Sequence, residues 1–403
     1  MKQFILILSV LFLVSCASLK SNFVSQKKNH FLMQSAAIQL TKPAVPPREE
    51  SKFLSDKKPW QWRSIYSIGA PMQSFVEPVS LGNGEWIVAT LGGGLGRWNL
   101  LKGYKKWQID VDPGVASIPL VKNGFVYFVG MDALMRKVDV INGKIVWQKK
   151  LSAESTGGVA LANGFLYVNT ADDTLWALDE KTGNLLWTYK RPSNKTNIYW
   201  SLRGAGVPAL SDDGKTIYIG FSDGTFVALE AVSGQTIWER QFEQQVRVSD
   251  VDMGVQVLKD TLFMVHADGA LYALNAKDGS VKWTMPEAAS SAPFLGPKGD
   301  FLYHGSRGGD LRKINAKTGA ILWSQLFKNP GHLSSVRLAK NNVLVVSGSH
   351  SGVYFVDEQN GALLHFERTG LGPIGPAAVE GNHVYVISPR NHLLRFYLNK
   401  PSS

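Results

Sequence analysis

One pattern of apolar and polar residues recurs seven times along the chain. Each copy has an apolar residue, a polar turn with glycine, and tryptophan four residues after that glycine, except that the last copy carries His365 at the tryptophan position. Asn-Gly, Thr-Gly, Ser-Gly and Asp-Gly pairs between short apolar runs predict β-hairpin turns, because glycine accepts the positive φ of these turns. The copies occupy residues 98–107, 138–147, 178–187, 229–238, 274–283, 314–323 and 356–365.

Two further strand patterns precede each hairpin. The nearer one is apolar, as in FVYFVG (125–130) and FLYHGS (301–306), and the farther one is rich in small residues. We expect the small-residue segments to form strands next to a crowded central axis; they are GVASIP (114–119), STGGVA (155–160), EAASSAP (287–293) and GPIGPAA (372–378). Four short strands in roughly forty residues, without a helical period, are typical of a β-propeller blade. Each repeat tryptophan should then pack between neighbouring blades.

The two ends of the repeat region predict the number of blades. Residues 383–399 supply strands of an eighth unit that lacks a terminal tryptophan strand, whereas KPWQWRSIYSI (58–68) is such a strand without the preceding three. If the N-terminal strand completes the last blade, no sheet edge is left open in the ring. We therefore expect an all-β, eight-bladed propeller with four-stranded antiparallel blades over residues 59–399, closed by its N-terminal strand.

The N-terminal residues predict export and lipidation. MKQFILILSVLFLVSC (1–16) has a basic start and an apolar run too short to span a bilayer comfortably, as in a secretory signal. Leu13-Val14-Ser15-Cys16 fits the bacterial lipobox, and Cys16 is the only cysteine in the chain. We expect a signal peptide at 1–15, a lipid on Cys16 and a flexible tether over 16–58. Ala17 in place of aspartate favours the outer membrane, and an ordinary signal cleaved near a cysteine is the alternative.

The charge distribution supports a tether close to a membrane and argues against nucleic acid. The formal net charge is +11, and residues 17–58 hold seven Lys and one Arg against three acidic residues. A basic, solvated linker beside a lipid anchor suits anionic headgroups. The sequence contains no basic run interleaved with aromatic residues, which is the pattern that predicts nucleic-acid binding. The 31–40 segment, FLMQSAAIQL, is compatible with a short helix of unassigned purpose.

The sequence offers no catalytic or cofactor motif. It contains no HExxH, no nucleophile elbow and no Walker A sequence, since Ala209 stands where GKT (214–216) would need its first glycine. The eight histidines are scattered. We therefore predict a protein that is not an enzyme and that has no cofactor and no metal.

Two adjacent interblade connections are lengthened. From the repeat tryptophan to the middle of the next blade's second strand the chain takes 20 residues between Trp107 and Tyr127, but 31 between Trp187 and Tyr218 and 25 between Trp238 and Phe263. Additional residues in a propeller lie on its surface, where loops carry function. The first lengthened connection contains NIYWSLRGAG (197–206), and the second contains RVSDVDMG (247–254).

The repeat A-L-x-x-x-[TSD]-G-x-x-x-W resembles the blade of pyrroloquinoline-quinone-type propellers. This superfamily includes quinoprotein dehydrogenases and the BamB family of outer-membrane lipoproteins. The dehydrogenases are longer, commonly use a vicinal cysteine pair and bind calcium, which this sequence does not match. In the BamB family, an SLRG motif and an R-x-S-D-V-D motif occupy the two connections, and residues 201–204 and 247–252 carry these motifs.

The resemblance to the BamB family implies a partner-binding role for both connections. Leu202 and Arg203, with Asp250 and Asp252, would contact the periplasmic POTRA domains of the barrel-assembly protein BamA, and Trp200 would fill the apolar position two residues before Leu202. Tryptophan and arginine are favoured anchors of protein interfaces. The alternative is internal bracing, in which the aspartates accept loop amides or pair with an arginine. Calcium binding is disfavoured, because D-x-D-x-G lacks the further ligands of an EF-hand loop.

The sequence as a whole predicts a scaffold lipoprotein of the outer membrane that faces the periplasm. It would be a monomer within a hetero-complex and would assist the folding and insertion of outer-membrane proteins. Two alternatives remain at this point: a quinoprotein-type enzyme, and a periplasmic propeller that binds a polysaccharide or another envelope protein.

Overall fold

The chain folds into short β-strands. The computed structural model describes residues 60–67, 76–90, 93–102, 104–191, 206–242, 254–266, 269–286, 292–306, 308–328, 331–349, 352–368, 375–387 and 392–398. These residues form thirty-two strands and one 3-10 turn, Lys340–Asn342. Among them, no helix is long and apolar enough to cross a membrane.

The strands form eight four-stranded antiparallel sheets, numbered here as blades 1 to 8. Blade 1 contains β2 (Val79–Gly82), β3 (Glu85–Thr90), β4 (Gly94–Asn99) and β5 (Tyr104–Ile109), and blade 2 contains β6 (Leu120–Lys122), β7 (Phe125–Val129), β8 (Leu134–Asp139) and β9 (Ile145–Lys150). Blade 3 contains β10 (Val159–Ala162), β11 (Phe165–Thr170), β12 (Thr174–Asp179) and β13 (Leu185–Lys190), and blade 4 contains β14 (Ala209–Leu210), β15 (Thr216–Gly220), β16 (Thr225–Glu230) and β17 (Thr236–Gln241). Blade 5 contains β18 (Gln256–Leu258), β19 (Thr261–Val265), β20 (Leu271–Asn275) and β21 (Val281–Met285), and blade 6 contains β22 (Phe294–Leu295), β23 (Phe301–Gly305), β24 (Asp310–Asn315) and β25 (Ile321–Leu326). Blade 7 contains β26 (Leu333–Ala339), β27 (Val343–Gly348), β28 (Gly352–Asp357) and β29 (Leu363–Arg368), and blade 8 contains β30 (Ala377–Glu380), β31 (His383–Ile387), β32 (His392–Leu398) and β1 (Trp60–Ser67).

The predicted all-β, eight-bladed architecture is confirmed. In blades 1 to 7 the strands pair in chain order, from the innermost strand to the outermost. In blade 8 the N-terminal strand β1 pairs antiparallel with β32, from Trp60 opposite Leu398 to Ser67 opposite His392. The outermost strand of this last blade is therefore the first strand of the described residues.

The hydrophobic core is divided among the interfaces between blades. Eight clusters of buried residues, each shared by two neighbouring sheets, account for the core of the described residues. Blade 8 packs on blade 1 in the same manner, with the rings of Trp86 and Tyr385 4.8 Å apart. Alternation of side chains along each strand supplies both faces of a blade with apolar groups, which explains the continuous apolar runs in the sequence.

The repeat tryptophans pack between blades, as predicted. Trp147 of blade 2 donates its indole N–H to the carbonyl oxygen of Glu180 at 3.1 Å. Glu180 lies in the last hairpin of the neighbouring blade 3. The indole ring lies against Gly183 of that hairpin, where a Cβ would be 2.7 Å from Trp147 Cε3. Gly183 has a φ of 73°. The glycine of the repeat therefore meets two requirements, the positive φ of the turn and the close approach of the preceding blade's indole.

The same tryptophan–glycine contact recurs around the ring. The pairs are Trp107–Gly143, Trp147–Gly183, Trp187–Gly234, Trp238–Gly279, Trp283–Gly319 and Trp323–Gly361. In blade 7 the tryptophan position holds His365, whose Nε2 lies 3.2 Å from Glu367 Oε2 and whose ring lies 6.1 Å from that of Phe355.

The prediction that small-residue segments form the innermost strands is wrong for GVASIP. Strand β6 begins only at Leu120, and in the preceding segment Ile118 forms an isolated parallel bridge with Gly158. The hydroxyl of Ser117 bonds both backbone groups of Val129, at 2.8 and 3.0 Å, and so takes the place of a strand ladder there. In blade 3 likewise, β10 takes in only the last two residues of STGGVA. These small residues belong mainly to the connections between blades.

Candidate partner-binding site

The residues predicted to bind a partner belong to two connections that lie outside the described residues. Trp200, Leu202 and Arg203 fall in 192–205, and Asp250 and Asp252 fall in 243–253. The predicted lipid acceptor Cys16 also lies outside the described part of the chain. The structure does describe the residues at which each connection leaves one blade and enters the next.

Both connections open on the same face of the propeller. Each joins the outermost strand of one blade to the innermost strand of the next, β13 to β14 and β17 to β18. In an antiparallel sheet of four strands, this connection leaves on the side that also carries the turn between the second and third strands. We call this side the connection face. Blade 4 lies between the two connections, because the first ends at its innermost strand and the second starts from its outermost strand.

Arg191 fastens the start of the first connection to blade 4. Its Nε lies 3.0 Å from Asp223 Oδ2, and its Nη1 lies 3.0 Å from Glu239 Oε2. The guanidinium also donates to the hydroxyl groups of Tyr189 at 3.4 Å and Thr225 at 3.1 Å. Burial disfavours the charged guanidinium, but the hydrogen bond to Tyr189 and the carboxylates of Asp223 and Glu239 raise the pKa of Arg191 overall.

Arg191 departs from the repeat. In blades 1, 2, 4 and 6 the position four residues after the repeat tryptophan holds a buried apolar side chain, namely Val111, Leu151, Phe242 and Phe327. In blade 3 the same position holds arginine. A polar network across two blades thus replaces an apolar contact at the point where the SLRG-containing connection begins.

The turns beside Arg191 are also joined to each other. The amide of Ser222 in blade 4 donates to Asp173 Oδ1 of blade 3 at 3.1 Å, and the Ser222 hydroxyl donates to the second carboxylate oxygen. Burial raises the pKa of Asp173, and the nearby carboxylates of Asp223 and Asp172 add to this effect. In Asp172 burial acts in the same direction, but hydrogen bonds from hydroxyl groups and the charge of Lys190 lower the pKa overall. Acidic and basic groups thus cross the junction between blades 3 and 4.

The second connection begins at a buried aromatic residue. Phe242 donates its amide to the carbonyl oxygen of Gly224 at 3.2 Å. Its ring lies 4.8 Å from that of Tyr272 and 5.6 Å from that of His266, both in blade 5. The guanidinium of Arg240 lies 5.3 Å above the Phe242 ring. The starts of both connections therefore contact blade 4 together with a neighbouring blade.

Sequence reasoning missed the network of Arg191, Asp223, Glu239 and Asp173. Asp223 stands in an ordinary Ser-Asp-Gly turn, and Glu239 follows a repeat tryptophan like many polar residues of the outer strands. The available signal was Arg191 itself, because it is charged at a position where four of the aligned repeats place apolar residues.

The described residues contain no group of three or more His, Cys, Asp or Glu side chains that would hold a metal ion. The carboxylates of the network just described are engaged by Arg191, Lys190 or hydroxyl groups. This arrangement is chemically suited to stabilising backbone geometry and to presenting loops to a partner.

Solved structures with a similar fold include members of two functional groups. BamB from Moraxella catarrhalis aligns over 84% of this chain and 100% of its own, with a TM-score of 0.68 and 19% identity. The quinohemoprotein alcohol dehydrogenase from Comamonas testosteroni aligns over 85% of this chain and 77% of its own, with a TM-score of 0.66 and 13% identity. At these identities the similarity shows the fold and leaves function to other evidence.

Sequence relatives distinguish the two groups. The protein named outer membrane protein assembly factor BamB in Escherichia coli K12 is 31% identical over 277 residues, 66% of this chain and 67% of its own length. The Yersinia pestis protein of that name is 24% identical over 355 residues, 83% of this chain and 78% of its own. The match to the Legionella pneumophila protein, 26% identical, spans 46% of this chain and about half, 49%, of that relative.

The family model described as outer membrane protein assembly factor BamB matches almost the whole propeller. The matched segments are residues 60–154, 93–257 and 213–400, which together include every described strand and both lengthened connections. On this evidence the chain belongs to the BamB family of outer membrane protein assembly factors.

Proposed function

We propose that the chain is a non-catalytic scaffold that docks the POTRA domains of a BamA-like protein through its two lengthened connections. In this role it assists the folding and insertion of outer-membrane proteins. Trp200, Leu202 and Arg203 of the first connection and Asp250 and Asp252 of the second are the proposed contact residues.

The observation that carries the proposal is the common placement of the two motif-bearing connections. Both start on the connection face, and both are attached to blade 4, through Arg191 and through Phe242. Connections that start on the same face of adjacent blades are placed to contribute to one surface. A surface with an arginine, aspartates and large apolar groups suits a protein interface, in which a few residues contribute most of the binding energy.

The cysteine content of the chain and the names of its relatives support a non-catalytic role. The single cysteine, Cys16, belongs to the predicted lipobox, so the propeller has no cysteine pair. The dehydrogenase neighbours share the fold at 12–14% identity. Relatives at higher identity are named assembly factors.

We further propose that a lipid on Cys16 holds the protein at the outer membrane, with the propeller in the periplasm. The support is the lipobox sequence together with the name that the relatives carry. A diacylglycerol-modified cysteine anchors stably, because each buried CH₂ contributes about 0.8 kcal/mol.

Charge reversal within each connection tests the docking proposal. Membranes are solubilised from cells that express the wild-type chain, Arg203→Glu or Asp250→Arg, and the co-purified BamA-like protein is quantified. We expect each variant to retain less than about a tenth of the wild-type amount, because loss of an interface anchor costs about 2 kcal/mol or more. Binding of the purified POTRA domains to the same variants gives the corresponding dissociation constants.

Matched controls carry the same charge changes elsewhere on the connection face. Asp110→Arg lies in the connection after blade 1, and Lys328→Glu lies in the connection after blade 6; both side chains are exposed. These variants should bind normally. The proposal fails if the wild type captures no BamA-like protein, or if the controls lose binding as strongly as Arg203→Glu and Asp250→Arg.

A further inference from the structure

The outer rim of blades 1 to 3 is strongly basic. We define the basic rim as residues 101–109, 141–150 and 181–190, which are the outermost strand and preceding turn of each of these blades. The three segments together contain eight Lys residues and no Asp or Glu. The corresponding segments of blades 4 to 7, residues 232–241, 277–285, 317–326 and 359–368, together contain five basic and three acidic residues. Among blades 1 to 7, the excess positive charge of the outer strands is therefore concentrated on three consecutive blades.

Exposed apolar side chains lie among these basic residues. Ile141 is 74% exposed and Val146 is 51% exposed, and Leu186 in the next blade is 45% exposed. Exposed aliphatic residues also occur on blades 4 and 6, such as Ile237 and Leu322. The basic rim differs in that aliphatic and cationic groups occur together on three consecutive blades without an acidic residue in these segments.

Several of the cations are not engaged within the propeller. Lys102, Lys144 and Lys181, one in each blade, are exposed and form no ion pair with another residue of the described ranges. Lys190 pairs with Asp172 at 3.4 Å but remains 59% exposed. These ammonium groups are available to an external anionic surface.

The tether joins the propeller beside this rim. Strand β1 begins at Trp60 and is the outermost strand of blade 8. Blade 8 packs on blade 1 through Trp86 and Tyr385. The point at which the chain enters the propeller, Trp60, consequently lies on the perimeter next to the first blade of the basic rim.

We infer that the basic rim rests on the anionic lipid surface to which the tether is anchored. Lysines interleaved with aliphatic groups bind such surfaces, since the ammonium groups meet lipid phosphates while the apolar groups enter the headgroup region. In this orientation the propeller stands on its edge, and the connection face is turned sideways, accessible to a membrane-bound partner. The inference rests on the proposed lipid-anchored location but does not depend on which protein the connections dock.

Vesicle binding by the chain without its lipid tests the inference. The chain from residue 17 onward contains all thirty-two strands, and it is floated with vesicles of phosphatidylethanolamine and phosphatidylglycerol or with vesicles of phosphatidylcholine alone. We expect binding to the anionic vesicles alone, weakening as salt is raised, because screening shortens the range of surface charge. Each lysine near an anionic surface contributes roughly a five-fold gain in affinity.

Two sets of charge reversals locate the contact. The rim set, Lys102→Glu, Lys144→Glu and Lys181→Glu, should weaken vesicle binding by about a hundred-fold or more. The control set, Lys277→Glu, Lys282→Glu and Lys317→Glu, makes the same change in net charge on blades 5 and 6 and should weaken binding far less. Circular dichroism verifies that both sets are folded.

Three outcomes would overturn the inference: equal binding to neutral vesicles, equal loss in the rim and control sets, or binding that needs an envelope protein on the vesicles. The last outcome would assign the rim to a protein partner. POTRA binding is measured separately on the rim set and should be unchanged. If the wild type binds anionic vesicles but no POTRA domain, the docking proposal fails while the lipid contact stands.

Discussion

The guanidinium of Arg191 in blade 3 and the carboxylate of Asp223 in blade 4 form an ion pair at 3.0 Å across the junction of the two blades. Glu239 of blade 4 accepts a second hydrogen bond from the same guanidinium, also at 3.0 Å. Arg191 is the last described residue before the connection that carries the SLRG motif. The relationship thus links the start of a proposed docking loop to the blade from which the second loop departs.

Arg191→Leu should weaken partner binding while leaving the propeller stable. Leucine suits a position that is apolar in four other blades, and the carboxylates of Asp223 and Glu239 are exposed enough to remain hydrated. We expect the free energy of unfolding to change by about 1 kcal/mol or less, and the affinity for POTRA domains to fall about ten-fold because the loop loses its attachment to blade 4. Arg312→Leu, which removes a comparable pair with Asp310 in blade 6, is the control. Unchanged affinity in Arg191→Leu would show that the network has no role in docking.

The repeat made most of the fold predictable from the sequence. The network around Arg191 could not be predicted in this way. The spacing of Gly183 and Trp187 predicts a hairpin, and six such copies in the described residues adopt it with positive φ at glycine. The prediction of a strand at residues 114–119 was wrong, because small side chains suit a tight connection as well as a crowded strand. The hydroxyl of Ser117 replaces ladder hydrogen bonds there. The partners of Arg191 lie 32 and 48 residues away, so the pairing follows from blade geometry that local sequence does not contain.

Gly183→Ala should destabilise the propeller more than Gly164→Ala in the same blade. Both glycines have positive φ, 73° and 81°, which costs an alanine about 1–2 kcal/mol. A Cβ at Gly183 would also lie 2.7 Å from the indole of Trp147, whereas no heavy atom lies within 4 Å of a Cβ at Gly164. Overpacking should add about 1–3 kcal/mol at Gly183 alone. Urea unfolding of the two variants measures the difference, and equal losses would contradict the role assigned to the tryptophan–glycine contact.

Glu358→Gln should be strongly destabilising, because it leaves a buried ammonium group without its counter-charge. Lys313 Nζ lies 2.5 Å from Glu358 Oε1, and the two side chains are 9% and 14% exposed. The hydroxyl of Tyr303 donates to the same oxygen. Burial acts to raise the pKa of Glu358, but the hydrogen bonds from Lys313 and Tyr303 lower it overall, in keeping with an ionised carboxylate.

We expect Glu358→Gln to cost about 3–5 kcal/mol of unfolding free energy, as for other buried pairs that lose one partner. The double variant Lys313→Met with Glu358→Gln should recover most of this loss, because no uncompensated charge remains. Asp172→Asn, at the exposed pair with Lys190, should cost less than about 1 kcal/mol. If the double variant is no more stable than Glu358→Gln, the loss does not arise from an unpaired lysine.

His304 should make the propeller less stable as the pH falls from about 6.5 towards 4. Its ring is fully buried, and neither ring nitrogen has a hydrogen-bond partner among the described residues. Burial lowers its pKa to about 4; the charge of Arg312 acts in the same direction, whereas Asp310 opposes it. Between the two pKa values the unfolded chain binds a proton that the folded chain excludes, so stability is complete above the unfolded value and declines through this window.

The loss on acidification should be on the order of 3 kcal/mol, from about 1.36 kcal/mol per pKa unit. His304→Met should remove most of this slope, because methionine is uncharged and blade 5 already places Met264 at the equivalent position. His332→Met, at an exposed ring, is the matched control and should keep the wild-type dependence. Urea unfolding at intervals between pH 4 and pH 7 gives the comparison, and identical slopes in the two variants would mean that other buried groups determine the acid sensitivity.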